Sequence, residues 1–256
     1  MQAGELRAAV RAGRPVLGAF VKTASHQAVE LLARAGLDLV IADAEHAPLG
    51  LETLGAMALA ARAWRTALLV RPVDLAPGFI GQCLDMGFSG VLAPHVDSPA
   101  AAGAVLDATR YDRGRRGFSP STRAADYGAA DAGGYRREVD QTNSVWVQIE
   151  DAAALGRLDA IAATADVDCL FIGRADLAAS LGVERIDDAA VVEAVKAICA
   201  AGARAGRAVG LYVGRPEEIA PFRAMGIGVF VCGSDQSWLL AQGARVRAAF
   251  AAATGS

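Results

Sequence analysis

Short apolar runs and longer segments with alanine and leucine at helical spacing alternate along the whole chain. The apolar runs cover residues 14–21, 37–43, 66–73, 90–96, 144–150, 167–173, 207–213 and 228–234. They lack polar alternation, so each reads as a strand buried on both faces, which a parallel sheet requires. Candidate helices follow at 25–36, 51–64, 77–87, 98–110, 151–165, 189–205, 216–226 and 237–253, with Ser25 placed to cap the first. Eight βα units in 256 residues predict a closed (β/α)8 barrel, a TIM barrel, as a single domain over residues 1–256. Residues 111–143 carry neither pattern and predict one long irregular segment, a length that belongs to function or to an interface.

Composition changes this picture little. At 54% hydrophobic the chain can bury a large core, and 25 basic against 28 acidic residues leave a net charge of −3. That balance offers no general attraction to nucleic acid or to an anionic membrane. No apolar stretch approaches the roughly 18 residues of a membrane span, and the first fifteen residues lack an apolar signal core. The expectation is a cytoplasmic protein. Four scattered cysteines without a CxxC pair read as reduced thiols, and three histidines without ligand spacing argue against a zinc site.

A barrel gathers its chemistry at the C-terminal ends of its strands. There the sequence puts Asp43, Glu45 and His46 after strand two, Arg71 at strand three, and Pro94-His95 after strand four. Gln148 and Glu150 follow at strand five and Asp176 after strand six, with Gly173 leaving room for a small ligand. Each alone has a plain structural reading, as a loop carboxylate or a hydrogen-bonding histidine. Arg71 within an apolar strand is harder to explain that way, because its guanidinium stays charged and demands an anion. Glu150 and Asp176, without cysteine or a second histidine, suit a hard divalent cation. Beside it, Arg71 would balance charge developing on a 2-oxo acid, and a histidine would move a proton near neutral pH. That set predicts enolate chemistry with carbon–carbon bond making or breaking. A Schiff-base route has one candidate, Lys22, since Lys196 falls within a helix.

The motifs DAEHAP (43–48), VRP (70–72), VQIE (147–150) and IGRADLAASLG (172–182) together resemble the HpcH/HpaI family of metal-dependent class II pyruvate aldolases. The similarity runs from about Gly18 to Asp235. It implies that His46 is the acid–base residue, Arg71 stabilises the enolate, and Glu150 with Asp176 binds Mg2+, Mn2+ or Co2+. Gln148 and the backbone at Ala175-Asp176 would bind pyruvate. The aspartate matching Asp85 would raise the basicity of the histidine. Partners would be a small 2-oxo acid and an aldehyde, and the assembly a homo-oligomer, a hexamer with exchanged C-terminal helices. The chain departs from the family pattern at Arg174, which replaces a proline, at His95, and in the DRGRRG segment at 112–117. These departures are expected to alter the aldehyde half of recognition.

Asp85 poses a conflict. It ends the third helix, at the bottom of the barrel, whereas His46 belongs to the top, and no side chain spans a barrel of strands about 5–6 residues long. The two roles agree only if Asp85 reaches a neighbouring subunit. Rival readings are a decarboxylase, a citrate-lyase-β-like acyl-CoA lyase, and a catalytically silent barrel acting as a binding protein.

Overall fold

The computed structural model describes residues 1–255 and forms the closed barrel that the pattern predicts, all neighbouring strands parallel. In chain order the elements are α1 (Ala3–Arg11), β1 (Val16–Val21), α2 (His26–Arg34), β2 (Leu39–Asp43), α3 (Leu51–Ala63), β3 (Ala67–Arg71) and α4 (Pro77–Met86). There follow β4 (Gly90–Ala93), α5 (Pro99–Thr109), α6 (Ala132–Thr142), β5 (Ser144–Ile149), α7 (Ala152–Leu155), α8 (Leu158–Ala162) and β6 (Cys169–Ile172). The last are α9 (Arg174–Ser180), α10 (Ala189–Ala205), β7 (Ala208–Val213), α11 (Ile219–Ala224), β8 (Val229–Ser234) and α12 (Asp235–Thr254).

Strand parity explains both the unbroken apolar runs and the site. Side chains along a strand alternate between the two faces. Leu39, Ile41, Ala67, Leu69, Trp146, Cys169 and Phe171 fill the barrel interior, while Val40, Ala42, Leu68, Val70, Val147 and Leu170 pack under the helices. Both faces are apolar because both are buried. Continuing the inward parity past the apolar residues leads to Asp43, Arg71, Gln148, Glu150 and Gly173.

Local signals set the helix ends. Ser25 accepts the Gln27 N–H at 3.2 Å to start α2, and Ser98 accepts that of Ala101 at 3.2 Å beside Pro99 to start α5. No helix among the described residues is long and apolar enough to cross a membrane.

Two expectations need correction, and two segments without an assigned pattern are helical. The N-terminal segment is a helix, α1, whose Leu6, Ala9 and Val10 close the bottom of the interior. Residues 111–143 are not irregular throughout: α6 begins where Asp131 accepts the Gly134 N–H at 2.6 Å, and it buries Tyr135. Its two glycines and four charges hide a helical stripe of one buried apolar side chain. The helix expected over 151–165 is two short pieces, α7 and α8, interrupted at Gly156-Arg157. The segment after strand six is itself helical, α9, which places Asp176 in a first turn.

Candidate active site

A cavity of about 490 Å³ opens at the C-terminal ends of the strands, and Lys22, His46, Arg71, Gln148, Gly173, Ala175 and Asp176 all reach it. Its apolar side is Phe20, Phe171 and Tyr212, with Phe20 and Tyr212 ring centroids 6.1 Å apart. Strand parity could have named all three aromatic residues, yet only their polar neighbours attract notice in the sequence.

Asp43 and Arg71 are register partners on β2 and β3. The Arg71 guanidinium donates through Nε to Oδ1 at 2.9 Å and through a terminal nitrogen to Oδ2 at 2.7 Å. It also lies 4.5 Å over the Phe20 ring, and Nε is 3.2 Å from Glu45. Lys22 Nζ stands 3.2 Å from Asp43, and the His46 N–H donates to the same carboxylate at 3.2 Å. Burial would raise the Asp43 carboxyl, but the hydrogen bonds and charge of Arg71, aided by Lys22, hold it below its ordinary value. Asp43 is therefore ionised and fully spoken for. It fixes Arg71 and the turn that carries His46.

The His46 ring is about half exposed at the cavity mouth, with Nε2 3.4 Å from Glu45. Glu45 thus stands between Arg71 and two histidines, because His95 Nε2 lies 3.4 Å from its other oxygen. His95 adopts a left-handed backbone, φ 52°, an uncommon conformation for a residue other than glycine. That turn aims its N–H at Glu150, 2.9 Å away, while its ring meets Asp151 at 3.1 Å. Burial would lower the His95 pKa, but Glu150, Asp151 and Glu45 outweigh it and raise it.

Glu150 is 1% exposed. Burial, the largest cause, pushes its carboxyl up to about 7; the His95 N–H and Gln148 pull it down, and the charge of Asp176 adds to the rise. Gln148 donates its amide to Glu150, and its own carbonyl oxygen is buried without a partner among the described residues. Gly173 is required here: a Cβ would meet Glu150 Oε2, and Gln148 Nε2 at 2.9 Å. Asp176 and Ala175 are exposed to the cavity from α9.

Two of the departures have a plain place. Arg174, a cation near Asp176 in sequence, is neutralised: it donates to Glu218 at 2.7 Å and to the Tyr212 carbonyl at 3.0 Å, and lies 4.7 Å over the Phe222 ring. The DRGRRG segment is not at the mouth of its own chain. Arg113 approaches Asp166 below β6 at 3.7 Å, Arg115 pairs with Asp107 at 3.3 Å, and buried Arg116 pairs with Asp85 at 2.6 Å. Asp85 is thus held at the bottom, remote from the strand ends that carry His46.

Comparison with known proteins gives the family and the fold. A pyruvate aldolase of Rhizobium etli is 38% identical over 174 residues, 68% of this chain and 68% of that protein. A hydroxypyruvate/pyruvate aldolase of Deinococcus radiodurans is 34% identical over 244 residues, 94% of this chain and 87% of that one. The crystal structure of an HpcH/HpaI aldolase/citrate lyase family protein from Burkholderia cenocepacia superposes with a TM-score of 0.92 at 31% identity, covering 96% of this chain and 99% of that one. The family described as HpcH/HpaI aldolase/citrate lyase matches residues 16–241, from the first strand into the last helix, and this chain belongs to it.

Proposed function

We propose that this protein is a divalent-metal-dependent class II aldolase that cleaves a 4-hydroxy-2-oxo acid to pyruvate, or a close 2-oxo acid, and an aldehyde. The observation that carries the reading is one cavity bordered by a clamped Arg71, an exposed His46 and Asp176, with Gln148 reaching the same space and handing on to Glu150.

Glu150 and Asp176 are the residues that would hold the cation. The fit rests on a buried carboxylate whose pKa is lifted to about 7 by burial and further by Asp176, since two such groups gain from a shared positive ion. The donors are all oxygen and few, which suits Mg2+, Mn2+ or Co2+ keeping open positions better than a soft or closed site. When bound, such a cation supplies Lewis acidity at the 2-oxo group.

The chain's own groups do the rest. Two hydrogen bonds hold the Arg71 guanidinium on Asp43, so it presents fixed positive charge where enolate charge develops. In cleavage His46 takes the proton of the 4-hydroxyl group. The bond between C3 and C4 breaks, its electron pair passes into the enolate, and the aldehyde leaves. A proton returned to C3 completes the 2-oxo acid. Gln148 and the backbone at Ala175-Asp176 orient its carboxylate, and Phe20, Phe171 and Tyr212 keep water from one side.

The reading includes a homo-oligomer, with the hexamer as its expected size. α12 has no buried residue and leaves Leu239 77% and Leu240 75% exposed, an apolar face suited to a neighbouring subunit. Asp85 would then meet His46 of another copy, carrying Arg116 with it. We place the protein in the cytoplasm, where its four free cysteines stay reduced.

Release of pyruvate from a 4-hydroxy-2-oxo acid, measured with Mn2+ and after EDTA, tests the reading. Metal-dependent release supports it. Carbon dioxide release without aldehyde points to a decarboxylase, dependence on an acyl-CoA points to a lyase of the citrate-lyase type, and no turnover of any of these points to a binding protein.

A further inference from the structure

A second cavity, of about 430 Å³, lies at the opposite end of the barrel, where α1, the segment after α5, and α6 meet. Its walls carry Arg7, Arg11, Arg110, Arg113 and Arg137. Five guanidinium groups around one space require an account of where their protons go.

Ion pairs explain three of them, the outermost being exposed Arg113, which approaches Asp166 at 3.7 Å. Arg7 donates through Nε to both oxygens of Asp168 at 3.0 Å, and Arg11 donates to the same group at 2.6 Å and to Asp166 at 3.2 Å. Asp168 also accepts the Val145 N–H, so its capacity is used. Asp140 is likewise occupied, accepting the N–H groups of Tyr111 and Asp112 at 2.9 Å each.

Arg110 is the group this network leaves over. It is 1% exposed, and none of its three guanidinium nitrogens has a hydrogen-bond partner among the described residues. Burial first, and then the like charge of Arg7, push its pKa down to about 10, so it keeps its charge at neutral pH. A buried, charged fork with five unmet N–H groups is costly unless an anion comes to it. Arg137 stands on the exposed turn of α6 above the same cavity and makes no ion pair among the described residues. The aspartates bordering or backing the space, Asp112, Asp140, Asp166 and Asp168, number one fewer than the arginines.

We propose that this cavity is a binding site for a small phosphate-bearing anion, inorganic phosphate or a phosphorylated metabolite, seated on Arg110 and covered by Arg137. A phosphoryl group offers three or more oxygens in a tetrahedral array, which several planar forks can grip at once; a lone carboxylate satisfies only one fork. The volume exceeds one phosphate ion, leaving room for the body of an ester. The site is separate from the mouth of the barrel: Asp168, just before β6, holds Arg7 and Arg11 and accepts the Val145 N–H near the start of β5.

Calorimetric titration with inorganic phosphate and with glycerol 3-phosphate, at ionic strength matched with chloride, tests this. Wild-type protein should bind one ion per chain. Arg137→Ala, which removes no hydrogen bond or ion pair among the described residues, should weaken binding roughly tenfold or more, as expected for losing one charge-assisted hydrogen bond. Arg110→Met should abolish binding while the protein keeps its circular dichroism, and Arg185→Ala, on a remote surface, should change nothing. Tighter binding of the ester identifies a phosphorylated metabolite as occupant; equal or weaker binding identifies the free ion. The proposal is overturned by absence of saturable binding, by wild-type affinity in both Arg137→Ala and Arg110→Met, or by binding that disappears only in Arg71→Ala.

Discussion

Arg71 and Asp43 meet edge to edge across neighbouring strands, two hydrogen bonds of 2.9 and 2.7 Å joining a guanidinium that must stay charged to a carboxylate with no exposed surface. This pair turns a liability of the apolar strands into a fixed positive group at the cavity. It also ties the two strands at the level where the turn carrying His46 begins, since the same carboxylate takes the His46 N–H.

Replacing Asp43 with Asn should therefore cost about 3 kcal/mol of stability at pH 7, in the range for breaking a buried pair from one side. The effect has a pH signature. Arg71 holds the Asp43 carboxyl below its ordinary value despite burial, so the pair's contribution is present above the usual carboxylate pKa near 4 and fades as pH falls further. Urea unfolding at pH 7 and pH 3 should show the gap between wild type and Asp43→Asn narrowing in acid. An unchanged gap would mean that the pair does not carry the stability.

His46→Ala should slow proton transfer by roughly 10²–10⁴-fold, the usual range for an acid–base group. Exchange of pyruvate methyl protons with solvent, followed by NMR, isolates that step from aldehyde binding. Wild-type exchange in the variant would remove His46 from the role. Arg71→Ala should lower kcat while leaving Mn2+ affinity near the wild-type value, because the guanidinium acts on developing charge.

Glu150→Ala and Asp176→Ala should each lose metal-dependent turnover with the barrel retained, as both lie beyond the packed strands. Gly173→Ala should fail similarly, since its Cβ displaces Glu150 and Gln148. Full activity of either carboxylate variant in metal-stripped buffer would defeat the assignment. In metal-free wild type, folded Glu150 keeps its proton up to about 7 whereas an unfolded glutamate loses it near 4.5. Stability should then decline as pH rises from about 4.5 to 7 and level off above. Glu150→Gln should flatten that slope in thermal melts.

The assembly prediction turns on Asp85 and α12. Leu239→Glu with Leu240→Glu should dissociate the oligomer, and Asp85→Ala should reduce activity in a protein that remains assembled. Sedimentation and turnover, measured on the same samples, check both. A fully active monomer, or an assembly that holds Asp85 far from every His46, would end the proposal.

What the sequence determined by itself was periodic. Unbroken apolar runs of strand length, separated by helical spacing, specify a parallel barrel because only burial on both faces tolerates them. Parity then sends Asp43, Arg71, Gln148 and Glu150 inward at one end, so the list of mouth residues was readable before any coordinates. Where periodicity was weak the reading failed: α6 buries one aromatic side chain and shows almost no apolar stripe, and α1 became visible only as the plug of a closed interior. Tertiary structure alone decided which charge meets which. Arg174 reads as a free cation until β7 and the turn at Glu218 close over it, and the arginines of 112–117 read as part of the mouth until the path of the chain carries them to the bottom. The isolation of Arg110 has the same origin. A guanidinium's partners come from segments far apart in sequence, and their distances are set by barrel closure and loop paths, which no local pattern encodes.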